Sequence, residues 1–179
     1  GHAAVTTLMG QMVALPYRHA QEIAPGVTLK FLDAGHVLGS AIVVLDIDDE
    51  DRRIAFAVDL GRKGLPILRE PEIPSRVNCL MLESTYGDRL HPPIEEVDVA
   101  LAAAINRTAK RGGKIIIPSF ALERAQEVVY SLKRLRKANQ IPSLQVYVDS
   151  PLTVKLTDVF KMHPECYDRQ TYSMLVGGD

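Results

Sequence analysis

The sequence predicts an α/β protein made of two unlike parts, and three patterns predict it. Over the first ninety or so residues, short apolar runs are joined by connections too short for parallel crossovers, which makes an antiparallel sheet region. Beyond Pro92-Pro93 the apolar residues fall at helical spacing. Between those helical stretches stand short β-branched runs, so strand, helix and strand follow one another as in a βαβ unit with a parallel sheet. The two expected parts are residues 3–92 and 93–179.

Taken in order, Pro25-Gly26 reads as a turn, and residues 27–32 alternate like a strand. The loop Asp33-Ala34-Gly35-His36 separates it from a second strand over 41–47. Asp48-Asp49-Glu50-Asp51 is an acidic turn before a third strand over 54–58, and the three form an antiparallel meander. Residues 77–82 are apolar almost throughout, the mark of a strand buried on both faces. Ile94, Val97, Leu101, Ile105 and Thr108 share a helical stripe that Gly112-Gly113 ends. Residues 114–117 then read as a strand. Leu122, Ala125, Val129, Leu132 and Leu135 mark a helix that starts near Ala121, and 144–148 reads as a further strand before a helix over 152–162.

Composition narrows the function classes. Hydrophobic residues make up 46% and charged ones 24%, ordinary for a globular protein. No apolar run is long enough to span a membrane and no signal peptide opens the chain, so a cytoplasmic protein without a membrane partner is expected. Gly1-His2 reads as vector-derived. The net charge of −1 advertises no polyanion partner, so nucleic-acid binding would need a local cluster of charge. Cys79 and Cys166 form no CxxC and read as two buried thiols.

The chemistry-bearing residues stand where strands end. His36 follows Gly35 after the first strand, Asp59 ends the third, and Glu83 ends the fourth. Imidazole and carboxylate at neighbouring strand ends can face one cleft, the raw material of a zinc site. A single histidine after a glycine is, by itself, more often a plain loop residue.

The surrounding wording adds to this. Asp33-Ala34-Gly35-His36-Val37-Leu38-Gly39-Ser40 resembles the third metal-binding motif of the metallo-β-lactamase superfamily, in its β-CASP branch of nucleic-acid-processing nucleases. Asp59-Leu60-Gly61-Arg62 is similar to the fourth motif, and Glu83-Ser84-Thr85-Tyr86-Gly87-Asp88-Arg89 to motif A, which opens the β-CASP insertion. Two more stretches of that insertion are matched by the ten residues from Pro118 through Glu127 and by Tyr147-Val148-Asp149-Ser150-Pro151-Leu152. The resemblance implies a partial metallo-β-lactamase core followed by part of a Rossmann-like β-CASP domain. It implies a zinc-dependent ribonuclease of RNA processing or decay, similar to ribonuclease J and to the endonuclease subunit of the cleavage and polyadenylation specificity factor. RNA is then the substrate, and a homodimer or an RNA-processing complex the assemblies open to it. His36 and Asp59 become metal ligands, Asp59 bridging two Zn2+, and Glu83 an acid that orients a histidine. Glu followed by Ser-Thr-Tyr at motif A points to RNA rather than DNA.

Two departures from the family pattern matter. Val58 stands where members usually have Gly before the motif-four Asp. The HxHxDH motif and motifs B and C are absent, and no HxH occurs in the 179 residues. The expectation is therefore an incomplete, inactive piece that holds zinc weakly or not at all; a catalytically inactive RNA-binding or scaffolding homologue is the alternative. A nucleotide-binding module is a third reading, opposed by the lack of GxGxxG or a P-loop. Ser119 is expected to cap the second helix and, with Arg124 in its first turn, to bind RNA phosphate. The plain alternative for Arg124 is an ion pair with Glu123 or Glu127. His19, His91 and His163 read as loop residues, and Lys133, Arg134, Arg136 and Lys137 as a solvated helix face.

Overall fold

The computed structural model describes residues 1–176, and side chains as far as 173. A five-stranded sheet is built in chain order from β1 (Ala20–Ala24), β2 (Val27–Asp33), β3 (Ala41–Ile47), β4 (Arg52–Ala57) and β5 (Cys79–Leu82). The first four strands are antiparallel and β5 runs parallel to β4. Helix α1 (His2–Met9) precedes the sheet; α2 (Ile94–Lys110), α3 (Arg124–Lys137), α4 (Pro151–Met162) and α5 (Arg169–Val176) follow it. The α/β class and the meander stand as expected. Neither α1 nor β1 has a clear periodic signature: α1 buries no residue and every residue of β1 is exposed.

Period-two alternation decides the sheet's core face. Ile42 and Val44 of β3 lie beside Ala55 and Ala57 of β4 and, with Ala34, are nearly inaccessible. The Pro25-Gly26 loop joins β1 to β2 with Gly26 at φ 68°, the backbone that a Pro-Gly turn asks of its glycine. A second core joins α2 to α3 through Ile105, Leu135 and Ile141. Arg134 pairs with Asp98 of α2, so part of the basic stretch on α3 ties two helices together. A third core takes Ile67 and Leu68 from beyond β4 and Phe160 and Tyr167 from beyond α3, with Leu38 packed on it, and so links the sheet region to the helices.

Three expectations are corrected. β5 is an edge strand, not one buried on both faces: among the described residues it pairs only with β4, and all four of its residues are exposed. Cys79 on it is therefore exposed, while Cys166 is half-buried. An unbroken apolar run reports affinity for burial but does not say whether a second neighbour covers the strand. The runs 114–117 and 144–148 belong to no strand among the described residues. β-branched residues suit a pleat, yet a strand exists only where another chain segment meets its N–H and C=O groups. The helices of the βαβ unit are present, but its strand pairing is not found among the described residues. Helix α3 starts at Arg124 rather than near Ala121, because residues 121–123 form a turn that ends with Glu123 at φ 64°.

Candidate functional site

Strand direction brings the sequence candidates together. β2 and β4 both run antiparallel to β3, and β5 is parallel to β4, so the C-terminal ends of β2, β4 and β5 lie at one end of the sheet. His36 follows the first of these, Asp59 the second and Glu83 the third.

The loop that carries His36 is held by its own polar groups. Gly35 N–H donates to Asp33 Oδ1 at 2.8 Å. The amides of His36 and Val37 donate to Ser40 Oγ at 3.1 and 3.2 Å. Asp33 is buried, and burial raises its carboxyl pKa against the lowering effect of the Gly35 hydrogen bond. From outside the loop, Glu72 accepts the Asp33 backbone N–H at 2.9 Å.

The Asp59 loop is sewn to its neighbours through the main chain. Gly61 N–H donates to Ala34 O at 2.8 Å, and Leu60 N–H donates to Glu83 Oε1 at 2.6 Å. A methyl group on Gly61 would stand 1.7 Å from Gly35 O, so the two loops touch backbone to backbone. Asp59 itself takes the left-handed conformation at φ 51°, whereas Val58 has no positive φ. The special backbone angle at this motif therefore falls on an aspartate, which tolerates it, and Val58 carries no such strain.

Glu83 has both oxygens engaged: Oε2 accepts from Thr85 Oγ1 at 3.0 Å while Oε1 holds Leu60. The resemblance implies that Glu83 orients a histidine; here its carboxylate holds the Leu60 amide and the Thr85 hydroxyl. Arg62 extends the connection by donating to Pro92 O at 3.1 Å, at the entry to α2. His91 is exposed and packs edge-on against Tyr86, with 4.9 Å between ring centroids.

The phosphate-binding expectation is placed differently. Ser119 is exposed and does not cap α3; the N-cap residue is Glu123, with no side-chain cap. Ser150 makes the cap that this chemistry favours one helix later, accepting from Thr153 N–H at 3.2 Å with Pro151 in the first helical turn. Arg124 is ion-paired with Glu127. Its side chain is still 58% exposed, so a phosphate must compete with a carboxylate rather than find a bare guanidinium. The phosphate expectation is tested by Arg124→Ala in the complete protein, where it requires the salt slope of RNA binding to fall by about 0.7, one single-strand phosphate contact. Filter-binding titrations over a range of salt give that slope, and an unchanged value leaves Arg124 a partner of Glu127 only.

Two carboxylates that sequence reasoning took for surface groups are buried here: Glu123 at 5% and Glu127 at 7% exposure. Neither oxygen of Glu123 has a partner in hydrogen-bond geometry, although the Leu38 amide is near enough to draw its pKa back slightly. Burial, with the Glu127 charge adding to it, pushes Glu123 up to about 8. Burial also raises Glu127, opposed by Arg124, Arg62 and His36. No period in the sequence marks this burial: Glu123 stands before the helix at φ 64°, so helical spacing does not relate it to Glu127.

A folded pKa above the unfolded one gives stability that is complete below the unfolded value and lost as pH rises through the folded one. For Glu123 the window runs from 4.5 to about 8. Unfolding free energies from urea titrations should therefore fall across that window by roughly 5 kcal/mol. Glu123→Gln, which carries no charge at any pH, should flatten most of the fall. A slope that survives this substitution would assign the pH dependence to another group.

Comparison with known proteins adds to this geometry. The Beta-Casp domain family matches residues 125–176, a stretch that runs from the first turn of α3 through α5. Ribonuclease TTHA0252 of Thermus thermophilus is 35% identical over 133 residues, which are 74% of this chain and 30% of that protein. The chain belongs to the β-CASP branch of the metallo-β-lactamase superfamily. Transcription termination factor FttA of Cenarchaeum symbiosum is 31% identical over 180 residues, 98% of this chain and 27% of the relative. The RNase J-like protein of Methanocaldococcus jannaschii is 30% identical over 146 residues, 80% of this chain and 34% of the relative. This β-CASP chain thus spans about a third or less of these three relatives. No helix among the described residues is long and apolar enough to cross a membrane.

Proposed function

We propose that this β-CASP protein hydrolyses phosphodiester bonds of RNA in a zinc-dependent reaction, with its site at the C-terminal ends of β2, β4 and β5. The observation that carries this reading is the stitching of three motif loops by Gly61 N–H to Ala34 O and Leu60 N–H to Glu83 Oε1. Those bonds hold His36, Asp59 and Glu83 at one end of one sheet. Two of the relatives named above bear ribonuclease names, which agrees with the reading.

The donor set limits what this chain does alone. A catalytic zinc takes about three protein ligands plus water. Among the described residues no group of three or more His, Cys, Asp or Glu could hold a metal. His36 and Asp59 therefore do not fit a whole zinc centre and are proposed as contributors to one. When bound, zinc would supply an activated water and a positive charge for the phosphate oxygens. This chain's own share is to fix the Asp59 loop through Glu83 and to meet RNA phosphate through Ser119 and Arg124.

The test is a graft in which this chain replaces the matching 30% of the Thermus thermophilus ribonuclease. Glu83→Gln in that graft keeps an acceptor for Leu60 N–H but loses the charge. Turnover should drop about 10–100-fold with zinc content unchanged. Loss of zinc with RNA affinity intact would make Glu83 a ligand instead. A graft that folds, loads zinc and binds RNA without cleaving it would favour the scaffolding alternative.

A further inference from the structure

Glu123 bears two unfavourable features at once. It precedes α3 at φ 64° and ψ −59°, and the Arg124 N–H donates across it to Leu122 O at 2.8 Å. A hydrogen bond between residues two apart, with those angles at the middle one, makes a γ-turn of the rare, strained kind, which glycine enters far more easily than glutamate. The side chain is also buried, and neither carboxyl oxygen has a partner in hydrogen-bond geometry. Backbone strain and an unpaired buried acid both oppose folding, and such features gather where a residue is fixed for function.

The surroundings of Glu123 indicate that function. Leu122 beside it and Leu38 from the His36 loop pack on one core, that of Ile67, Leu68, Phe160 and Tyr167. Within the loop, the amides of Gly35, His36, Val37 and Ser40 each donate to another loop residue. The Leu38 amide points elsewhere. Burial and the Glu127 charge raise the Glu123 carboxyl, and the Leu38 amide opposes them, which sets that amide beside the carboxyl. Glu127, in the first turn of α3, lies within reach of the charges of Arg62 and His36 as well as Arg124. The start of α3 therefore faces the motif loops.

We propose that Glu123 is a positioning residue for the His36 loop: from its strained turn it presents an oxygen acceptor to the Leu38 amide, so that α3 and the loop keep one arrangement. A carboxyl offers an acceptor oxygen whether or not it carries its proton. The role needs no access from solvent, which the buried oxygens do not have. Its consequence for cleavage rests on the RNA-hydrolysing reading above; its consequence for the loop does not.

Two substitutions separate positioning from packing. Glu123→Met keeps the length of the side chain but presents no oxygen, whereas Glu123→Gln keeps an oxygen acceptor. In the 179-residue chain, NMR-detected amide exchange at Leu38 should run about 10-fold faster in Glu123→Met and stay within about 2-fold of the parent in Glu123→Gln. The urea midpoint of Glu123→Met should hold or rise, because an apolar side chain replaces a buried acid without a partner. In the Thermus thermophilus graft, Glu123→Met should lower kcat about 10-fold at unchanged KM for RNA, and Glu123→Gln should recover most of that loss. A Glu123→Met chain with a lower midpoint, or one that does not fold, would make Glu123 a packing residue and overturn the inference. Unchanged Leu38 exchange in Glu123→Met, or equal exchange in both variants, would overturn it as well. A graft that does not cleave before any substitution removes the hydrolase reading, and Leu38 exchange then decides the loop role by itself.

Discussion

Gly61→Ala is expected to cost the chain about 3 kcal/mol or more of stability and to separate two of its motif loops. The added Cβ would stand 1.7 Å from Gly35 O, 2.2 Å from Gly35 C and 2.9 Å from the His36 amide nitrogen. All three are backbone atoms, so no side chain can swing aside to relieve the overlap. Nor can Gly35 retreat: a Cβ there would already stand 2.7 Å from Arg69 O and 2.8 Å from Pro71 N, so its other side is closed by main chain. One loop must therefore move, and with it goes the Gly61 N–H to Ala34 O bond. Gly64→Ala is the control. Gly64 has φ 76° but open space around it, so alanine there meets only the left-handed strain of about 1 kcal/mol. Urea unfolding of the two variants beside the parent chain makes the comparison. Equal midpoints for the two would mean that the Gly35 and Gly61 loops do not touch.

That contact also shows what was legible in the sequence. Alternating apolar residues and short connections gave β2, β3 and β4, and the acidic run 48–51 marked the tight turn between β3 and β4. Helical spacing gave α2, and the helix expected over 152–162 is α4. The motif wording placed His36, Asp59 and Glu83 after their strands, where they are found. These are local or short-period properties, which a sequence carries directly.

What failed to show depends on neighbours distant in sequence. Residues 77–82 look like a central strand because they are apolar, yet among the described residues β5 meets only β4 and exposes Leu80, Met81 and Leu82. The 114–117 and 144–148 runs have strand composition without a partner in the described residues; Ile116 is 90% exposed. Glu123 reads as a surface acid beside an arginine. Its burial arises because the turn 121–123 and the Leu38 loop close over it, a tertiary fact with no periodic trace. Arg124 reads equally as phosphate ligand or ion-pair partner, and it is the burial of Glu127 that draws it into the pair. Helix α1 and strand β1 bury no residue, so they lack the hydrophobic pattern from which elements are read.

The central claim is that the Asp59 loop, held between His36 and Glu83, is part of an RNA-hydrolysing site. Its most direct measurement is RNA cleavage by the grafted Thermus thermophilus ribonuclease with and without Asp59→Asn. Asparagine keeps the size of the side chain and tolerates the left-handed backbone at φ 51°, so the loop should keep its shape. What it loses is the charge, and with it the ability to share two anionic oxygens between cations. The account predicts that the graft cleaves RNA and that Asp59→Asn lowers its rate roughly 10²–10³-fold or more, with RNA affinity retained. An Asp59→Asn graft that cleaves as fast as the unsubstituted one would contradict it.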